Sequence, residues 1–290
     1  MNILLRIVAL LLVAINLNGE EPGATFKVKV RLVEVYATIY DHHGKYVDGL
    51  KSENFEVREN GAPQHVTQFG SMSESLSCAI LLDTSGSMAD ALPHVKNSIV
   101  QLIDELGPTD SVAIYRFDNG LVTVQDFTTD KESAKRAVLR TRAAGGTALF
   151  DALSETSDEI ARRDGKKALI VFTDGDDNAS LINATSATNR AKKLGVPLYS
   201  IAEGEATHSI NLQKVLHEMS EQTGGSMYEV KKPAEIERVF SRISEDLRHL
   251  YFLAYKPQSH GEDGKWRKID LMLKGVEDYK VRAKQGYFPQ

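Results

Sequence analysis

A single cysteine, Cys78, stands in 290 residues. No disulfide can form within such a chain, so an exported form would rely on core burial or on a bound metal. Cys78 opens an apolar stretch and reads as a small buried hydrophobe, the other readings being an intermolecular disulfide or a reactive thiol. The basic stripe that nucleic-acid binding normally needs is missing. The 35 Lys and Arg are scattered among 40 Asp and Glu, and the net charge is −5. Beyond the N-terminus no apolar run is long enough to span a bilayer. There is no His-Glu-x-x-His pair for a zinc protease, no Gly-x-Ser-x-Gly elbow and no phosphate loop ending in Gly-Lys-Ser/Thr. Internal repeats and low-complexity tracts are also absent.

The N-terminus carries its own signal. Met1 to Gly19 has one early charge, Arg6, within Ile, Leu, Val and Ala, followed by Asn16 and Asn18. That pattern predicts a signal peptide cleaved near Gly19, and so an exported protein that is periplasmic, surface-held or extracellular. An uncleaved N-terminal anchor is the competing reading. No cysteine follows the run, which excludes a lipoprotein anchor.

Three zones follow. Residues 20–75 alternate apolar and polar positions (Val28, Val30, Leu32, then Val33, Val35), with turn signals at Asp41–Lys45 and at Asn60-Gly61. Residues 76–248 alternate strand-like runs with helical patterns. Strands are predicted at 78–83, 111–117, 122–126, 168–173, 197–202 and 226–230. Helices are predicted around Leu92–Leu106 and at 131–140, 148–163, 184–194, 210–222 and 234–248. This is the rhythm of an α/β fold, a Rossmann-like doubly wound and mostly parallel sheet with helices on both faces. Residues 249–290 return to β character at Tyr251–Tyr255, Trp266–Leu273 and Tyr279–Ala283, with an exposed turn at His260–Gly264. Neither β segment can bury much surface alone. The economical solution pairs them into one small β-sandwich with the α/β zone inserted between.

The chemistry concentrates at Asp83-Thr84-Ser85-Gly86-Ser87. An apolar strand ends there in a carboxylate followed by hydroxyls at alternate positions. In open α/β sheets that strand end is where ligands bind. Gly145-Gly146-Thr147 precedes a predicted helix, with Thr147 at the N-cap position, and Thr173-Asp174-Gly175 ends another predicted strand. All three loops fall on one sheet edge. Asp83 and Asp174 supply charge; Ser85, Ser87 and Thr147 supply neutral oxygens. Together they form a donor set suited to a hard divalent cation with an exchangeable position. Asp176, Asp177 and Asn178 extend the acidic rim as an exposed loop or as ligands of a second ion. Asn178 and Asn183 match glycosylation acceptors, read as incidental.

These five oxygen-bearing residues, in this order and context, resemble the metal-ion-dependent adhesion site of von Willebrand factor type A domains, and the resemblance covers residues 76–248. It implies Mg²⁺ as the ion, with Mn²⁺ or Ca²⁺ as alternatives, and a protein partner whose Asp or Glu completes the coordination. The flanking Val47-Asp48-Gly49-Leu50, Phe55–Gly61, Gly264–Ile269 and Gly286-Tyr287 resemble segments of bacterial secreted proteins related to this family. The expected function is an exported adhesion-type interaction module, not an enzyme, which binds neither nucleic acid nor membrane beyond the signal segment. Two other readings stand beside it: an envelope scaffold with a stabilising metal, and a Mg²⁺-dependent phosphoryl-transfer enzyme. The second is opposed by Ser85, which stands where such enzymes usually place a second carboxylate.

Overall fold

A computed structural model describes residues 32–71, 74–258 and 264–289. The predicted signal segment, Val28, Val30 and most of the predicted 260–264 turn lie outside them. Two four-stranded sheets draw on both ends of the chain. One holds β1 (Val33–Asp41), β4 (Val66–Gly70), β11 (Tyr251–Tyr255) and β13 (Tyr279–Ala283) in the order β13-β1-β11-β4. The other holds β2 (Phe55–Glu59), β3 (Ala62–Gln64), β12 (Arg267–Leu273) and β14 (Gly286–Tyr287) in the order β14-β12-β2-β3. All their pairings are antiparallel. Val35, Ala37, Leu253 and Tyr255 of the first sheet share one apolar cluster with Phe55, Val57, Ile269 and Tyr287 of the second. The predicted sandwich is therefore built from both flanks. Asn60 and Gly61 turn the β2–β3 hairpin at φ 48° and 84°, the left-handed pair that a two-residue turn requires.

The flanking motifs acquire a physical meaning here. Glu59 is buried between the sheets and accepts hydrogen bonds from Tyr255 Oη (2.8 Å) and Tyr287 Oη (2.9 Å), with the Arg267 guanidinium at 3.2 Å. A Cβ on Gly286 would stand 2.4 Å from the Arg267 carbonyl, so only glycine lets β14 close on β12. Tyr287→Phe is expected to lower stability by about 1.5 kcal/mol, the usual worth of a hydrogen bond to a charged group. A lower urea midpoint at unchanged m-value would show it.

Between these strands runs a six-stranded sheet, ordered β10-β9-β8-β5-β6-β7. Its strands are β5 (Leu76–Asp83), β6 (Ser111–Phe117), β7 (Leu121–Thr128), β8 (Lys166–Thr173), β9 (Leu198–Glu203) and β10 (Ser226–Val230). Every pairing is parallel except β6–β7. Helices α1 (Leu92–Glu105), α2 (Lys131–Arg140) and α6 (Ile236–Arg248) cover one face. Helices α3 (Leu149–Ala161), α4 (Ala184–Leu194) and α5 (Ile210–Thr223) cover the other. With both faces covered, β5 and β8 are buried at every residue, which is why their sequences read as unbroken apolar runs. Cys78 lies in the core on the α1 side, where burial pushes its thiol up to about 12. It is a packed hydrophobe, and the reactive-thiol reading is set aside. No helix among the described residues is long and apolar enough to cross a membrane.

Candidate metal centre

β5 delivers Asp83 to the carboxyl edge of the sheet with its side chain fully buried. The next residue locks the loop. Thr84 N–H and Oγ1 both donate to the Phe117 carbonyl (2.8 and 3.0 Å), and Thr84 O accepts from Ala144 N–H at 2.7 Å. Gly86 N–H then donates to Gly145 O at 3.0 Å. The Asp83 loop and the Gly145-Gly146-Thr147 loop are thus tied backbone to backbone. Gly145 has φ +86°, and a Cβ there would meet Asn119 and Asp118 at 3.0 and 3.1 Å, so the close approach depends on glycine.

Asp83 Oδ1 accepts from Ser85 N–H (2.8 Å) and Oδ2 from Thr173 Oγ1 (2.7 Å). Burial raises this carboxyl from 3.8 to about 6, against the lowering effect of those hydrogen bonds. Asp174, 6 % exposed, is also raised. Burial is the main cause; the Ser87 hydroxyl opposes it and Glu205 adds to it. Among the described residues neither carboxylate has a cationic partner.

The hydroxyls complete a chain of oxygens. Ser85 Oγ lies 3.0 Å from Ser87 Oγ, which donates to Asp174 Oδ1 at 2.9 Å. An octahedral ion with oxygens at about 2.0–2.1 Å places neighbouring ligands about 2.9–3.0 Å apart. The same 2.9–3.0 Å is the length of an ordinary hydrogen bond, which is how the three side chains hold one another here. Ser85 makes no capping bond to the short turn it opens. Thr147 is not the N-cap predicted for the third helix. That helix starts at Leu149 behind Ala148, which carries no capping bond, and the Thr147 side chain is left out of the cap. Thr147 is instead held by its backbone: its N–H donates to Asn178 Oδ1 (2.9 Å), and its carbonyl accepts from Asn178 N–H (3.0 Å) and Ala179 N–H (3.2 Å). Among the described residues no three or more His, Cys, Asp or Glu converge.

Sequence reasoning missed Thr173, whose hydroxyl orients Asp83, and Asn178, which clasps the Thr147 loop. Both sit in the Thr-Asp-Gly-Asp-Asp-Asn run, and the signal was a polar side chain one or four residues from Asp174. Asp177 accepts from Phe150 N–H, Ser180 N–H and Ser180 Oγ, tying the loop to α3. Asn183 caps α4 through Ser186 N–H. Both candidate glycosylation amides therefore serve the fold.

The profile of the von Willebrand factor type A domain matches residues 78–242. No curated protein matches the chain. Among solved structures, a von Willebrand factor type A protein from Catenulispora acidiphila is 13% identical, with a TM-score of 0.54 over 91% of this chain and 76% of its own. The PilB minor pilin from Streptococcus sanguinis is 16% identical, with a TM-score of 0.50 over 62% of each chain. Proximal thread matrix protein 1 of the mussel byssus is 17% identical, with a TM-score of 0.53 over 66% of this chain and 51% of its own. The chain thus spans less than two thirds of the pilin and of the byssus protein, and at these identities the likeness concerns the fold. The profile match covers more than half of the chain, over the same strands and loops that build the centre: the protein belongs to the von Willebrand factor type A domain family.

Proposed function

We propose that this chain is an exported protein-interaction module that grips a carboxylate of a protein partner through a divalent cation. Asp83, Ser85, Ser87, Thr147 and Asp174 hold the ion. The observation that carries the reading is the oxygen chain Ser85–Ser87–Asp174, spaced at 3.0 and 2.9 Å, beside a buried carboxylate that no cation neutralises. Mg²⁺ is the ion we propose, with Mn²⁺ and Ca²⁺ as alternatives, because the donors are hard oxygens. When bound, the ion supplies residual positive charge and an exchangeable position, because only two of its protein ligands are charged. Among the described residues neither serine contacts a histidine or lysine that would activate it as a nucleophile, so the arrangement favours binding over catalysis. By the same reading residues 76–248 form the binding domain, and residues 1–19 direct export.

The test is retention of partners on the immobilised protein from the envelope and secreted fractions of its source. It is run in Mg²⁺, in chelator, and with Asp83→Ala. A partner held only by the wild type in Mg²⁺ is the expected result. Retention that ignores both chelator and substitution would overturn the reading and favour a scaffold with a purely structural metal.

A further inference from the structure

Two Asn-Gly pairs stand among the described residues, Asn60-Gly61 and Asn119-Gly120. A glycine after asparagine leaves its main-chain nitrogen open to the preceding carboxamide, because no Cβ shields it. The two pairs sit in different settings. Asn60 and Gly61 hold the left-handed turn from β2 to β3. Asn60 is also pinned twice to Lys268: its N–H donates to the Lys268 carbonyl, and its Oδ1 accepts from the Lys268 N–H, both at 2.9 Å.

Asn119-Gly120 lies in the turn from β6 to β7, at the metal edge of the sheet. Asn119 is exposed. Gly120 takes no left-handed conformation, and a Cβ there would meet nothing within 4 Å. Neither the backbone nor the packing therefore requires glycine. Among the described residues the Gly120 N–H donates no hydrogen bond. Asn119 Oδ1 accepts from Gly146 N–H at 2.9 Å. This contact ties the turn to the Gly145-Gly146-Thr147 loop. It also aims a main-chain donor at the oxygen that gains negative charge when a nucleophile attacks Cγ.

We infer that Asn119 is a self-modification site, where the chain deamidates. The Gly120 nitrogen gives its proton to solvent and bonds to Asn119 Cγ. The Cγ–Nδ2 bond breaks, ammonia leaves with the proton it needs from solvent, and a five-membered succinimide remains. Water then opens the ring. Attack at the side-chain carbonyl gives aspartate. Attack at the main-chain carbonyl gives isoaspartate, in which the peptide runs through Cβ and Cγ. Both products add a negative charge beside Asp118. In isoaspartate the Cγ carbonyl joins a main chain longer by one carbon, so Gly146 N–H loses its fixed acceptor. The modification needs no ion, and it loosens the loop that carries Thr147.

The whole protein is aged at mildly alkaline pH in chelator, beside Gly120→Ala. Alanine fits the open turn. Peptide mass spectrometry follows amide-to-acid conversion at Asn119 and Asn60, an isoaspartyl methyltransferase labels the isoaspartate, and amide exchange follows Gly146. Conversion at Asn119 is expected to run ahead of Asn60. In Gly120→Ala it slows by roughly tenfold or more, since the methyl group shields the nitrogen and stiffens the backbone. Gly146 exchange speeds up in the aged wild type alone. Faster conversion at Asn60, an unchanged rate in Gly120→Ala, or an Asn119 intact over many half-lives of an isolated peptide with the same turn sequence overturns the inference. Isoaspartate at 119 with unchanged Gly146 exchange overturns the loosening of the loop.

Discussion

Replacing Asp246 by alanine is expected to destabilise the protein by about 4 kcal/mol, the typical cost of removing one partner from a buried ion pair. That is roughly 10 °C in melting temperature for a protein of this size. Asp246 lies on α6 and is 1 % exposed. Its Oδ1 accepts from Tyr40 Oη (2.9 Å) and Tyr46 Oη (2.8 Å), its Oδ2 from Tyr228 Oη (3.0 Å), and Arg282 pairs with it at 2.9 Å. Tyr40 and Arg282 belong to the sandwich, Tyr228 to the central sheet. The carboxylate is therefore the polar pin between the two layers. Without it the guanidinium loses its one ion pair among the described residues, and three hydroxyls lose their acceptor. Single Tyr→Phe changes at 40, 46 or 228 remove one donor to the carboxylate each and are expected to cost about 1.5 kcal/mol. Asp246→Ala combined with Arg282→Met should recover part of the loss, because no uncompensated charge then remains. Calorimetry decides: an Asp246→Ala protein melting within 2 °C of wild type would show that the layers are held by apolar packing alone.

The α/β layer was largely legible because its strands, buried on both faces, form contiguous apolar runs that end abruptly at polar loops. Predicted strands 111–117 and 226–230 and helices 131–140 and 184–194 are observed with those bounds. The last helix starts at Ile236 rather than 234, behind a short 3-10 turn at Pro233–Glu235. The alternation expected in the N-terminal β segment is observed in β1, where Glu34, Tyr36 and Thr38 interleave with the apolar core positions and make polar contacts. Val35, Ala37 and Ile39 face the sandwich core, while Tyr36 on the opposite side is covered by Leu250, Phe252 and Ala254. The candidate centre was legible for a similar reason: Asp83 and Asp174 stand where the apolar strands β5 and β8 end. Thr147 was given the wrong local setting, since helix starts shift by a residue or two without changing the pattern. Asp246 carried almost no signal. On a helix with apolar Ile236, Val239, Phe240, Ile243 and Leu247, an acid beside Glu245 reads as a solvated face. Only its position three residues after Ile243, on the apolar stripe, hinted at burial. Its partners lie on strands far away in sequence, and no local pattern reports such a pairing.

Asp83→Asn is expected to stabilise the metal-free protein and to abolish its response to metal. In chelator, burial holds the Asp83 carboxyl near 6, against 3.8 for the exposed group. At about 1.4 kcal/mol per pH unit this is a cost on the order of 3 kcal/mol for keeping the native carboxylate ionised at pH 7. The sign follows from proton counts. Between pH 4 and 6 the native state binds more protons than the unfolded chain, so the contribution of Asp83 to stability falls as pH rises through that window and stays low above it. Asparagine carries no charge to desolvate. Its oxygen still accepts from Ser85 N–H, and the Thr173 hydroxyl can turn to accept from its amide. After the loss of two charge-assisted bonds a net gain of about 1–2 kcal/mol remains, or roughly 3–6 °C at pH 7. The ion reverses the order. Bound to the native state alone at a hundred times its dissociation constant, it stabilises wild type by about 2.7 kcal/mol and leaves Asp83→Asn unmoved. Melting curves of both proteins at pH 4.5 and 7, in chelator and in Mg²⁺, therefore cross: the variant is the more stable without metal, the wild type with it. A wild-type melting temperature indifferent to Mg²⁺, or a variant that melts lower in chelator, would show that Asp83 is buried for the fold and not for an ion.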